Sequence, residues 1–425
     1  MADSSISFCL LKNLIFLLTV SYVILLVKNI EKLSENQVNL LVSSEKLVAN
    51  PEPDNPKPST ASTTNVDQKI KILIVAEYRG GSTFTSELFN KNPHAAFLFE
   101  PFVLGIDDPI RQTNLINDIF YNCSLPNIKN YLDKNYTQKY NYNQEFNFKF
   151  CKIHNVCFRS DSRFLNDVPF CYVSQKSILQ AAENSENSKQ PAKIRCDSIN
   201  YAQYNSHCQE KIKFISAKVV RLSNFKILDQ FIENDPNFFV LYVIRDPRGI
   251  FSSRDQIHRF IKSSTKEKDI ASEIMENICQ TFRRNLEYIR EKTESNKTSR
   301  YNTNFIPLRY EDFSTNPSYY INKIYQRLGD TSSVKNLQKT LLKETHFHKD
   351  ERALRFGTNR NSTNAMAAWR NKLNIYHTQK IQEYCGRELM GWLGYKNYRS
   401  AINQKYASAV EAKYFYDIET GSFRF

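Results

Sequence analysis

Two short runs in this chain carry residue types that grip anions. The first is Arg79-Gly80-Gly81-Ser82-Thr83-Phe84-Thr85, and the second is Arg245-Asp246-Pro247-Arg248-Gly249-Ile250-Phe251-Ser252-Ser253-Arg254. Adjacent glycines let the backbone turn its N–H groups inward, and hydroxyls at the start of a helix add donors where the dipole already favours an anion. Such a turn holds a phosphate or a group shaped like one, although a purely structural turn would use the same glycines. A nucleoside-triphosphate loop of the form G-x-x-x-x-G-K-[ST] is absent, and the cation, Arg79, precedes the glycines, which argues against ATP or GTP. Glu100, in Phe97-Leu98-Phe99-Glu100-Pro101, is a carboxylate open to three readings, capping a helix, holding a salt bridge or acting as a base, and an apolar flank would raise its pKa.

The elements that must position these residues are legible in the apolar pattern. Ile70 to Val75, interrupted only by Lys71, reads as a buried strand running into the first anion turn, with a helix after it through Leu88 and Phe89. Ala95 to Phe99 is a second short strand, and Phe214 to Leu222 a third, followed by a helix over Phe225 to Ile232. Phe238 to Ile244 is the strongest strand and runs directly into the second anion turn, where Pro247 suits the first position of a helix. Ile274, Ile278, Phe282, Leu286 and Ile289 form one apolar stripe at helical spacing. Phe305 to Tyr310 predicts a strand, Pro317 to Leu328 and Val334 to Thr345 helices, and Ile381, Tyr384, Cys385, Leu389, Trp392 and Leu393 a final amphipathic helix. Strands separated by helices give an α/β fold with a mainly parallel sheet, in which ligands sit at the carboxyl ends of strands, where both turns fall.

Composition bounds the partners. The chain has 425 residues, 41% hydrophobic and 13% aromatic, enough for a substantial core, and a formal net charge of +14 that suits an anionic partner or serves solubility. No zinc spacing, leucine-zipper-like basic helix or RNA-binding aromatic motif supports nucleic acid. Leu14 to Val27 is apolar apart from Thr19, Ser21 and Tyr22 and ends at Lys28 without a small-residue cleavage site, which predicts an uncleaved membrane anchor. Asn29 to Gln68, with Pro51, Pro53, Pro56 and Pro58, reads as a stem. Eight cysteines beyond the anchor, without a C-x-x-C pair, and sequons at Asn122, Asn135, Asn296 and Asn361 fit the secretory pathway. Gly105 to Lys213 is loop-rich and holds most of these cysteines, with some helix around Ile116 to Leu132; it reads as acceptor-binding surface or as a structural excursion. His346 and His348 form an H-x-H pair with no third or fourth ligand nearby, so no metal is expected.

The run Arg-x-Gly-Ser-x-Phe, followed by Glu87-Leu88-Phe89 and then Phe-Leu-Phe-Glu-Pro, resembles the 5′-phosphosulfate loop of Golgi carbohydrate sulfotransferases, and more narrowly the branch that sulfates the 6-hydroxyl of galactose, N-acetylgalactosamine or N-acetylglucosamine. The second run resembles that family's 3′-phosphate motif, R-D-P-R-x-x-x-x-S-R. Leu308-Arg-Tyr-Glu-Asp-Phe313, Arg360-Asn-Ser-Thr363 and Ala368-Trp369-Arg370 resemble the branch in content and order, so the resemblance spans about Lys69 to Tyr398. It implies a P-loop-like sulfotransferase fold with a central mainly parallel sheet flanked by helices, preceded by a single N-terminal transmembrane helix. The expected organisation is a short tail and the start of the anchor at 1–13, a signal anchor at 14–28, a stem at 29–68, a luminal sulfotransferase domain at 69–400 and a C-terminal extension at 401–425.

The resemblance further implies 3′-phosphoadenosine 5′-phosphosulfate (PAPS) as donor, a glycan acceptor, no metal, and a single-pass type II protein of the Golgi membrane. Arg79 would stabilise the leaving phosphate and Glu100 would take the acceptor's proton. Arg79, Gly80, Gly81, Ser82, Thr83, Phe84 and Thr85 would line the 5′ side of the donor; Arg245, Asp246, Pro247, Arg248, Ser252 and Ser253 would line the 3′ side, and Arg360 would belong to a loop closing over the nucleotide. Gly80 stands where the family usually has Ser, and Thr83 where Ser is commoner, so reduced donor affinity is an expectation. Two other readings compete: a catalytically inactive glycan-binding relative, and a glycosyltransferase, which the absence of a D-x-D metal site disfavours.

Overall fold

The computed structural model describes residues 68–102, 108–124, 171–172, 198–199, 201–220, 222, 224–261, 267–332, 334–335, 337–339, 362–406, 410 and 413–425. The apolar run Leu14 to Val27, the stem, Arg360 and the H-x-H pair lie outside the described residues; among those described, no helix is long and apolar enough to cross a membrane.

The strands, in chain order, are β1 (Ile70–Ala76), β2 (Ala95–Phe99), β3 (Cys171–Tyr172), β4 (Ser198–Ile199), β5 (Phe214–Val219), β6 (Phe238–Ile244), β7 (Phe305–Arg309), β8 (Tyr416–Asp417) and β9 (Ser422–Phe423). Five of them form a parallel sheet in the order β2-β5-β1-β6-β7, while β3-β4 and β8-β9 are antiparallel pairs. These five sequences are nearly continuous runs of apolar residues because a parallel sheet is covered on both faces. Leu73, Ile74, Phe97, Leu98, Val240 and Val243 are wholly buried, and burying each such side chain is worth roughly 1.5–3 kcal/mol.

The strand order explains where a ligand can sit. From β1 the chain goes outward to β2, returns through β5, then crosses β1 to reach β6 and β7 on the other side. The carboxyl ends of β1 and β6 are therefore neighbours at a reversal of strand order, the crevice in which open α/β sheets bind ligands. Strand β2, which ends at Phe99 just before Glu100, is separated from β1 by β5. Glu100 and the first anion turn still open on the same edge of the sheet, since all these strands are parallel.

Helix α1 (Ser82–Asn90) follows β1, and α2 (Pro109–Phe120) starts on Asp108, whose carboxylate accepts from the N–H groups of Ile110 and Arg111. Then come α3 (Tyr201–Glu210), α4 (Pro247–Ile261) after β6, and α5 (Glu267–Ser295), which carries the expected apolar stripe with Ile278, Phe282, Leu286 and Ile289 buried. Tyr310, expected as the end of a strand, instead opens α6 (Tyr310–Thr315), and α7 (Pro317–Arg327) follows at once on an Asn316 cap. The last long helix, α8 (Ile375–Trp392), begins earlier than the apolar pattern indicates because Asn374 caps it by accepting from His377 N–H at 2.9 Å.

Gly386, at φ 74°, kinks α8; the carbonyl of Cys385 beside it accepts from Arg283 Nη2 at 2.7 Å, and Cys385 is disulfide-bonded to Cys279 on α5. A second disulfide joins Cys123 to Cys208 of α3. Residues 401–425, set apart in the sequence reading, contribute Tyr414, Phe415, Tyr416 and Ile418 to the same core as the sheet, and Phe415 N–H donates to the carbonyl of Trp392 at 2.8 Å.

Candidate active site

The first anion turn is tight enough to select glycine. Gly80 N–H donates to the Glu77 carbonyl at 2.7 Å, and a Cβ on Gly80 would stand 2.7 Å from that same oxygen. Gly81, at φ 90°, is the N-cap of α1, and a Cβ there would run into the ring of Tyr310 at 2.3 Å. The Ser-to-Gly departure at position 80 therefore accompanies a turn with no room for a side chain. Helix α1 receives no side-chain cap, so the first N–H groups of the helix are left to the turn itself.

Between them, Arg79 and the second run lock the two turns together. Arg79 sits in the left-handed region at φ 69°, a conformation costly for a non-glycine residue. Its Nε donates to Ser253 Oγ at 2.9 Å, and its carbonyl accepts from Arg245 Nη1 at 2.9 Å. One residue further on, Arg254 donates from Nε to the Tyr78 carbonyl at 2.9 Å and pairs with Glu77 at 2.7 Å. The backbone after β1 is thus held residue by residue from Arg245 and α4, which over-determines a strained conformation.

Arg245 is half-buried and its guanidinium lies 4.8 Å over the ring of Tyr310. Its Nε is buried without a hydrogen-bond partner. A buried donor left unmet costs on the order of 1–3 kcal/mol, a cost relieved by an anion that accepts from it. Trp369 is buried against the site's second arginine: Arg248 lies 4.7 Å over Trp369 and 4.9 Å over Tyr398.

Not all the expected contacts are equally placed. Arg248 is fully buried, with Nε and Nη2 on the two carboxylate oxygens of Asp246 at 2.8 Å and Nη1 on Gln382 and the Lys396 carbonyl. Asp246 also accepts from Arg248 N–H at 2.9 Å, so it caps α4 just ahead of Pro247. This pair ties the second turn to α8 through Gln382. Thr85 Oγ1 donates to the Gly81 carbonyl at 3.4 Å, and Phe84 packs its ring on Phe313 at 5.0 Å, so both shape the turn from its inner side. Ser82 and Ser252 are buried, Thr83 and Ser253 are half-buried, and Arg360 lies outside the described residues.

Glu100 shares the backbone signature of Arg79, with φ 52°. Its N–H donates to the Lys218 carbonyl at 2.8 Å, and its carboxylate pairs with Lys218 Nζ at 2.5 Å. The apolar flank expected from Phe-Leu-Phe is present in the buried Phe99 and Phe102, and β5 adds the Lys218 ammonium to it.

Lys218, Arg254, Tyr310 and Glu311 went unassigned in the sequence reading. Lys218 stands beside Ala217 and Val219 in a buried strand, and a buried lysine there requires a partner. Glu311 accepts from Asp246 N–H at 3.1 Å and from Tyr395 Oη–H at 2.7 Å; burial, reinforced by the nearby Asp246 carboxylate, pushes its pKa up to about 7. Among the described residues no cluster of metal-ligating side chains occurs.

A parallel sheet with two cross-braced, arginine-bearing turns at its reversal point places the molecule among α/β proteins that hold anionic ligands between neighbouring strands. Within that class the chain belongs to the sulfotransferase domain family, whose pattern matches residues 69–393. It is similar to carbohydrate sulfotransferase 1 of Danio rerio, 26% identical over 83% of this chain and 84% of that relative, and to carbohydrate sulfotransferase 5 of Mus musculus, 23% identical over 81% and 85%. Carbohydrate sulfotransferase 3 of Homo sapiens is 24% identical over 80% of this chain and 71% of its own length.

Proposed function

We propose that this protein is a membrane-anchored carbohydrate sulfotransferase of the Golgi that moves a sulfuryl group from PAPS to a sugar hydroxyl, the 6-hydroxyl of galactose, N-acetylgalactosamine or N-acetylglucosamine in a glycosaminoglycan or glycoprotein glycan. Family membership supports the reaction class, and the named relatives support a carbohydrate acceptor. The observation that carries the reading is the double tie between turns, Arg79 Nε to Ser253 Oγ and Arg245 Nη1 to the Arg79 carbonyl, which makes two anion sites into one. A donor with a 5′-phosphosulfate and a 3′-phosphate needs two such sites at a fixed separation.

PAPS supplies the sulfuryl group, whose bond to the 5′-phosphate oxygen breaks as its bond to the acceptor oxygen forms, with charge gathering on the phosphate. Arg79, Ser82, Thr83 and the N–H groups at the start of α1 would hold the phosphosulfate end and stabilise that charge. Arg245, with its unmet buried Nε, and Ser253 would hold the 3′-phosphate, while Arg248 and Asp246 would fix the start of α4 beside it. Glu100 would receive the acceptor's hydroxyl proton on a carboxylate oxygen.

The test is incubation of the protein with sulfur-labelled PAPS and desulfated chondroitin, desulfated keratan and N-acetylglucosamine-terminated acceptors, with the product's sulfate position mapped. Label on the 6-hydroxyl of one acceptor is the expected result. Binding of the desulfonated donor product without transfer to any acceptor would favour the inactive glycan-binding alternative, and absence of both would overturn the PAPS reading.

A further inference from the structure

Lys218 stands where two requirements meet. It lies on β5, between β1 and β2, in register with Ile74 on one side and Phe99 on the other. Only 1% of its side chain is exposed, and its ammonium rests 3.8 Å over the ring of Phe99. A lysine this deeply buried pays a large desolvation cost and is held charged by what faces it. Facing it are the aromatic ring and the Glu100 carboxylate, at 2.5 Å from Nζ, and the same lysine's carbonyl accepts the Glu100 N–H at 2.8 Å. Residue 100 is thus fixed twice by residue 218, once through the backbone, which steadies its left-handed conformation, and once through the side chain.

We infer that Lys218 is a positioning residue for the transfer step: it holds Glu100 deprotonated and aimed, so that the carboxylate is ready to take the acceptor's proton. The inference rests on the reading of Glu100 as the base. It gives the one lysine of β5 a function at that strand's carboxyl end, and it adds a fixed positive charge to the apolar surroundings of the general base. In the step, the acceptor oxygen gains sulfur and loses its proton to Glu100; Lys218 neither gains nor loses a proton, and its charge lowers the cost of the carboxylate before the transfer.

Two measurements on the full-length protein test this. In the first, Lys218→Met lowers kcat by about tenfold to a hundredfold with the KM for PAPS nearly unchanged, and Lys218→Arg recovers part of the loss. In the second, independent of turnover, isotope-labelled glutamate is followed by infrared titration, the Glu100 band being identified by its loss in Glu100→Gln. That band titrates at higher pH in Lys218→Met than in the unsubstituted protein, and nearer its original position in Lys218→Arg.

A folded Lys218→Met protein whose Glu100 band titrates unchanged overturns the inference. So does a loss of kcat that Lys218→Arg fails to recover at all while the band has not moved. Absence of sulfuryl transfer by the unsubstituted protein would instead remove Glu100's role as base, and the infrared titration would still decide whether Lys218 holds it charged.

Discussion

At the scale of single residues, the site is built from strained positions held by charged neighbours. Three non-glycine residues among those described have positive φ, and two of them are Arg79 and Glu100. Each is pinned by a residue from another strand or helix, Arg79 by Arg245 and Ser253, Glu100 by Lys218. Glu311 is a buried carboxyl that accepts from Asp246 N–H at the second turn, and its titration predicts a pH effect. Below about pH 4.5 it is protonated in both folded and unfolded chains; between there and about 7 the folded protein keeps a proton that the unfolded chain releases. Stability from this group is therefore full at low pH and is lost as pH rises to about 7, by an amount on the order of a few kcal/mol. Denaturant melts of Glu311→Gln between pH 4.5 and 7 should show a flatter profile than the unsubstituted protein; an identical slope would contradict the assignment.

The chain sequence made these residues visible unequally. Arg79, Arg245 and Ser253 lie in two strand-to-helix turns legible from local residue types, whereas the family resemblance is what points to Glu100 as the base. Lys218 and Arg254 act through partners 118 and 177 positions away, Glu100 and Glu77 respectively, and no local pattern encodes such a pair. Lys71 teaches the same lesson: it breaks an apolar run, and its buried ammonium meets Asp235 at 3.0 Å.

At the scale of elements, the turn between β1 and α1 depends on Gly81. Replacing it by alanine adds a Cβ 2.3 Å from the Tyr310 ring and forces a side chain onto φ 90°. Because that ring also lies under the Arg245 guanidinium, the substitution disturbs both anion sites together. Gly81→Ala should cost about 1–3 kcal/mol of stability and abolish measurable donor binding. A variant that melts normally and binds donor product normally would show the turn to be more yielding than its geometry indicates. Arg248→Met makes a complementary case, since it leaves the Asp246 carboxylate buried without its partner; a loss of about 3–5 kcal/mol is expected in denaturant unfolding.

The strands themselves were plain from apolar runs, with β6 and β2 found at their observed bounds. Element ends were less so. Asn374 starts α8 and Tyr310 starts α6 on capping and backbone geometry that apolar periodicity does not report. The insertion of β5 between β1 and β2 was beyond the sequence altogether, because β-strand order is set by crossovers and long-range pairing.

At the scale of the whole molecule, the described part of the chain from β1 to the C-terminal hairpin shares one core, closed by two disulfides that span 85 and 106 residues. The Cys279–Cys385 bond fastens the kink of α8 to α5, and α8 supplies Gln382 to the Arg248 brace. Cys385→Ser with Cys279→Ser should lower stability by about 2–5 kcal/mol and weaken donor binding as well, since the Gln382 contact that holds Arg248 in the second turn loosens. Thermal melting with and without bound donor product would separate the two effects. Unchanged binding in a destabilised protein would uncouple α8 from the site.

The central claim is that the two braced turns form one donor site, and calorimetric titration with 3′-phosphoadenosine 5′-phosphate, the desulfonated donor product, tests it most directly. The account predicts saturable one-to-one binding that falls by about tenfold or more in both Arg79→Ala and Arg245→Ala, each variant remaining folded. Absence of binding to the unsubstituted protein, or binding that neither substitution weakens, would contradict it.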